Sequence, residues 1–153
     1  DYAAAVCLSD RGREDAQLIG RVFDRLDIAV DRVLSSPSCR ARETASLAFG
    51  RIDEVDRAAL SGAAVANSQT EVFAGELKGL LERNFPHEGQ RTVIVGHGST
   101  LDVHTATLFP DYTGQWQKVD ETGFYLIEVI DGEMVPRWAF SDLRDFSRDL
   151  LLH

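Results

Sequence analysis

The chain has 153 residues and carries 25 acidic against 16 basic side chains, for a formal net charge of −9 and a pI near 4.8. With 44% hydrophobic and 27% charged residues it has the composition of an ordinary globular domain, which excludes disordered, collagen-like and disulfide-scaffold classes and predicts one domain over 1–153. The acidic surplus argues against a nucleic-acid or anionic-membrane partner, because both demand a basic footprint, so an anionic ligand must meet a locally positive pocket. No apolar run approaches the length of a bilayer span, and the first residues lack the secretory pattern.

After a short apolar opening, Tyr2 to Leu8, Ser9 predicts the N-cap of a helix running to about Leu26, with Ile19, Val22, Phe23 and Leu26 on one face. Val30, Val33 and Leu34 then read as a buried strand that stops at Ser35-Ser36-Pro37. A second helix is expected from Ser38 to Phe49, closed by Gly50, followed by a short strand near Val55 to Leu60 and a small-residue loop. Val72, Phe73, Leu77, Leu80 and Leu81 fall at helical spacing and predict a helix over Ser68 to Asn84. Thr92 to Val95 is continuously apolar and β-branched apart from its first residue, the pattern of a central strand covered on both faces, and it runs into Gly96-His97-Gly98. A helix from about Ser99 to Phe109 follows. Two strands, Gly123 to Ile130 and Met134 to Phe140, flank the turn pair Asp131-Gly132, and a terminal helix starts near Asp142 with Phe146, Leu150 and Leu151 on one side.

Helices alternating with short apolar strands predict an α/β fold, a three-layer sandwich with a mostly parallel central sheet and helices on both faces. Ligands in this architecture bind at the carboxyl ends of the strands. Two segments put polar groups at such ends. The first, Ser35 to Ala45, places hydroxyls, Arg40 and Arg42 at the start of a helix, where free N–H groups and the guanidinium fork of Arg40 suit an oxyanion. Its plainer reading makes Ser36 a cap and leaves Arg40 and Arg42 solvated or paired with Glu43. The second, Val93 to Thr100, delivers His97 between two glycines at a strand exit, which favours function over a core role. It is neither a G-x-S-x-G elbow nor a P-loop. His97, Asp102 and His104 match no metal-ligand spacing, so no metal is expected. His87 reads as an exposed loop residue, and Trp116 and Trp138 read as packing residues.

Taken together and in this order, the two segments resemble the histidine phosphatase superfamily, the phosphoglycerate mutase-like fold. Ser9 to Arg13 is similar to that family's L-[ST]-x-x-G helix opening, Ser35 to Ala45 to S-S-P-x-x-R-A-x-x-T-A, Val95 to Gly98 to V-G-H-G, and Glu121 to Gly123 to its short late glycine stretch. The resemblance implies a phosphatase acting on a small-molecule phosphomonoester without a cofactor. A histidine nitrogen attacks phosphorus, forms phosphohistidine and passes the phosphoryl group to water. Arg40 would clamp the phosphoryl oxygens and His97 would stabilise the charge that gathers on them, with Ser36, Gly98 and Ser99 as substrate contacts. A carboxylic acid should protonate the leaving oxygen; Glu71, Glu76 and Asp102 lie in suitable intervals, and Glu71 is the provisional assignment.

One departure is large. The family's Arg-His-Gly, which supplies the nucleophile and a second arginine, occurs nowhere in the chain. The expectation is a segment upstream of Asp1 that holds the first strand and the nucleophilic histidine. The rival is a non-catalytic phosphate-binding or regulatory protein of the same fold. Cys7 and Cys39 can form one bridge at most or remain buried thiols. Cys39 directly before Arg40 resembles a subgroup of exported bacterial proteins in which such cysteines pair, which implies export; the alternative is a cytoplasmic protein.

Overall fold

The computed structural model describes residues 6–59, 69–111 and 121–143, without the side chains of 99, 100, 103 and 104. Helix α1 spans Asp10–Arg25, and the Ser9 side chain caps it by accepting from Gly12 N–H at 3.2 Å. Strand β1 spans Arg32–Ser35, helix α2 Cys39–Phe49, and strand β2 Glu54–Val55, with a single 3-10 turn at Arg57–Ala59. Helix α3 covers Thr70–Arg83, strand β3 Thr92–Val95 and helix α4 Gly98–Leu108. Strands β4, Phe124–Ile130, and β5, Glu133–Phe140, complete the described elements.

The parallel order β2-β1-β3 agrees with the α/β expectation. Both faces of this sheet are covered, because Val33 and Leu34 are adjacent on β1, point to opposite sides, and are both inaccessible to solvent. Leu34 packs with Ala59, Leu77 and Leu80, and Ile94, its neighbour in register on β3, joins that cluster with Leu108. Helices α3 and α4 therefore lie on the Leu34 side. Helix α2 packs against β1 and β3 and also against α1. The crossing of α1 and α2 is close: a Cβ on Gly20 would run into the Ala48 carbonyl oxygen.

Several boundaries differ from expectation. The strand before Ser36 begins at Arg32 rather than Val30. Near Val55 only two residues pair, and the chain turns at once into the 3-10 segment; Leu60 lies outside the described residues. Thr92–Val95 is not the central strand among the described residues, since β1 occupies that place. β3 borders β1 alone and is half-buried along its length. Trp138 does not pack inward: it is 62% exposed and stands across from the exposed Leu126. Trp116, Ser68 and the terminal helix beyond Leu143 lie outside the described residues.

The hairpin matches its turn signal. Asp131 and Gly132 adopt φ of 53° and 79°, the left-handed values that a two-residue hairpin turn with right-handed twist requires. A bulge on the β5 side lies between the pairs Leu126↔Trp138 and Ile127↔Pro136, which accommodates Pro136 where a ladder donor is missing.

Candidate active site

Parallel pairing of β1 with β3 sets the site. Ser35 lies opposite Val95, and Ser36 N–H donates to the Val95 carbonyl at 2.9 Å, so both strands end at the same level. The two motifs, 61 residues apart in sequence, leave the sheet side by side: Ser36 Oγ lies 2.9 Å from His97 Nε2. Each strand hands over to an 11-residue helix that starts at this edge, α2 after Ser38 and α4 after His97. Two helix N-termini thus bring partial positive charge and free N–H groups to the same edge of the sheet.

The hydroxyl run after β1 is buried and internally bonded. Ser38 is the N-cap of α2, accepting from Ala41 N–H at 3.2 Å, so the cap is Ser38 rather than Ser36. Ser36 Oγ donates to Ser38 Oγ at 3.1 Å and accepts from Ser38 N–H at 3.3 Å. Ser35 Oγ donates to the Ser36 carbonyl at 2.9 Å. Arg40 sits in the first turn of α2 with its side chain exposed, and no ion pair engages it among the described residues. The plainer reading of the arginines fails for Glu43, which accepts instead from Arg13 Nε at 2.6 Å and from Leu8 N–H at 2.8 Å. Arg13 first, then the Leu8 N–H, hold the Glu43 carboxyl below its ordinary range.

His97 is half-buried. Burial, and after it the Arg40 charge, hold its pKa below the ordinary value, so its free ring is biased toward the neutral form. Its flanking Gly96 matters through space rather than through an unusual φ: the positive-φ glycines among the described residues are Gly50, Gly89 and Gly132, and a Cβ on Gly96 would lie 3.1 Å from the Ala59 carbonyl oxygen. Gly98 is the first residue of α4, and Ser99 follows it with its side chain outside the described set. Glu71 stands exposed in the first turn of α3, and no hydrogen bond joins it to Ser36, Arg40 or His97 among the described residues. Asp102 is committed elsewhere: it accepts from Tyr125 Oη at 2.5 Å, tying α4 to the hairpin. Burial first, then this bond, raise the Tyr125 pKa above its usual value. His87 is exposed, as expected.

Sequence reasoning left the cysteines open, and the structure joins Cys7 to Cys39, directly before Arg40. Their Cα atoms are 4.8 Å apart, inside the range a bridge spans. The bridge and the Glu43 bonds to Arg13 and Leu8 fasten the approach to α1 onto the start of α2. Cys7, Cys39 and Glu43 place donor atoms within 4.8 Å of one another, but with the sulfurs bonded to each other they offer no thiolate pair to a metal.

A family model described as the histidine phosphatase superfamily (branch 1) matches residues 3–62. No curated protein matches the sequence. Among solved structures, the chain is similar to a mutant phosphoserine phosphatase from Entamoeba histolytica in complex with phosphoserine, at 16% identity and a TM-score of 0.69 over 91% of this chain and 86% of that one. It is similar to the protein histidine phosphatase SixA complexed with tungstate, at 18% identity and a TM-score of 0.60 over 90% and 85%. The third, YhfR of Bacillus stearothermophilus, gives 21% identity and a TM-score of 0.65 over 88% and 84%. The resemblance read from the sequence is thereby shown: the chain folds as these phosphatases do, and its residues 3–62 match the model of the histidine phosphatase superfamily.

Proposed function

We propose that this protein is a phosphatase that hydrolyses a small phosphomonoester through a phosphohistidine intermediate. The observation that carries the reading is the junction of the two motifs, where Ser36 Oγ meets His97 Nε2 at 2.9 Å and the exposed Arg40 lies in the first turn of the helix that follows Ser36. An anion placed there meets a guanidinium, an imidazole and two helix N-termini within an acidic protein. Two of the structurally similar proteins were captured with phosphoserine and with tungstate, ligands of the same tetrahedral oxyanion class.

In the proposed reaction a histidine nitrogen lone pair forms a bond to phosphorus while the P–O ester bond breaks. Arg40 holds the equatorial oxygens, and His97 stabilises the charge they gain. A carboxylic acid, assigned to Glu71, gives its proton to the departing alkoxide. Water then attacks phosphorus, inorganic phosphate leaves, and the histidine is restored. The nucleophile is assigned to a segment upstream of Asp1 within the same domain. This is supported by β3 pairing with β1 alone among the described residues, because a further parallel strand on its other side would end beside His97. The Cys7–Cys39 bridge supports export to an oxidising compartment.

The rival reading, a phosphate-binding protein without turnover, is favoured by the lack of any Arg-His-Gly in the 153 residues. Intact mass of the purified polypeptide and turnover of p-nitrophenyl phosphate separate the two. A mass above 16.9 kDa with vanadate-sensitive turnover is expected. Turnover that survives unchanged in Arg40→Ala would remove Arg40 from the site, and binding of phosphate without turnover would establish the rival.

A further inference from the structure

The buried hydroxyls behind His97 carry a proton count. A serine hydroxyl has one proton to donate and two lone pairs to accept with. Ser36 Oγ donates its proton to Ser38 Oγ at 3.1 Å, and one lone pair receives Ser38 N–H at 3.3 Å. What remains for His97 Nε2, at 2.9 Å, is a lone pair. Ser38 Oγ also receives the Ala41 N–H that begins α2, which ties the hydroxyl pair to the helix start. Ser36 and Ser38 are wholly shielded from solvent, so no water competes for these positions.

We propose that Ser36 is a positioning residue that fixes His97 in its Nε2–H tautomer and leaves Nδ1 as the ring atom that meets the phosphoryl group. The proposal rests on the phosphatase reading of the site and refines it. Ser36, expected from sequence as a substrate contact, acts through His97 instead. In the free protein Nδ1 is a bare lone pair, and among the described residues Arg40 is the charged group that acts on the ring. A dianion bound between them offsets the Arg40 charge, and Nδ1 takes up one proton from solvent. The resulting imidazolium donates Nε2–H to Ser36 and Nδ1–H to a phosphoryl oxygen, both ring bonds being filled. The role is distinct from charge clamping: Ser36 chooses which nitrogen is available and holds the ring plane.

Long-range proton–nitrogen correlation on the 15N-labelled full chain reads the tautomer directly, with sulfate as the probe because it stays a dianion at neutral pH. The expected result is a proton-bearing Nε2 and a bare Nδ1 in the free protein, with sulfate converting Nδ1 to the proton-bearing form. Ser36→Ala should mix the tautomers and weaken sulfate by about tenfold, the loss of roughly one hydrogen bond, and Ser36→Thr should restore both. A bare Nε2 in the wild type, or an unchanged tautomer in Ser36→Ala, overturns the proposal. If sulfate leaves the Arg40 and His97 signals unmoved, the phosphate-site reading fails, and with it the role of Nδ1, whatever the tautomer.

Discussion

The roles proposed for Arg40 and His97 differ because their surroundings differ. Arg40 is exposed, whereas His97 is half-buried and resists protonation. That resistance has a sign. The unfolded chain protonates the ring near its ordinary value of about 6.5, and the folded protein only at lower pH. Stability attributable to His97 is therefore present above that value and is lost as pH falls toward and through the folded pKa. Urea denaturation across this window should show a flatter pH dependence for His97→Gln than for wild type; parallel curves would mean that the ring titrates alike in both states. The acid is a separate matter. Glu71→Gln should slow turnover by about 10²–10⁴-fold and leave tungstate affinity as it is. Unaltered turnover would transfer the role to Glu76 or Asp102. At this scale the two motifs that meet at Ser36 and His97 were legible from residue type and spacing. The commitment of Glu43 to Arg13, and of Ser36 to His97, was not, because hydroxyl and carboxylate chemistry does not name a partner 30 or 61 residues away.

Among the elements, α1 and α2 pack closely. Gly20 lies against the Ala48 backbone, Phe23 meets Phe49 edge-on with ring centroids 5.3 Å apart, and the Cys7–Cys39 bridge closes the open end. Gly20→Ala should cost about 1–3 kcal/mol, because a backbone oxygen cannot move aside as a flexible side chain can. Gly75→Ala in α3, where a Cβ would meet nothing within 4 Å, should instead stabilise by about 0.5–1 kcal/mol. Thermal or urea denaturation of the two variants side by side checks this, and equal effects would contradict the close crossing. The bridge spans a sequence separation of 32, for which loop closure suggests about 3–4 kcal/mol. Adding a dithiol should therefore lower the urea midpoint, and an unchanged midpoint would show that the bridge contributes nothing. Helix positions were legible because capping and periodicity are local: Ser9, Gly50 and the Asp131-Gly132 turn stand where their residue types place them. Strand rank was not. An apolar β-branched run reads as central wherever it lies, and only pairing shows that β1 has neighbours on both sides while β3 has one among the described residues.

For the whole molecule, the excess of acidic residues and the positive site are two parts of one description. A net charge of −9 spread over the chain repels anions at long range, so capture must depend on short-range donors gathered at one sheet edge. The α/β architecture supplies that edge: parallel strands end together, and the residues that follow them become neighbours however far apart they are in sequence. This is why the sequence could point to both motifs and to their shared location, while the distances between them had to come from the structure. The measurement that bears most directly on the account is calorimetric titration of the wild-type protein and Arg40→Ala with tungstate. One-site binding weakened by about 10- to 100-fold in the variant, with its unfolding temperature unchanged, is the predicted result. Equal affinity in the two proteins would contradict the claim that this edge of the sheet is a phosphate site.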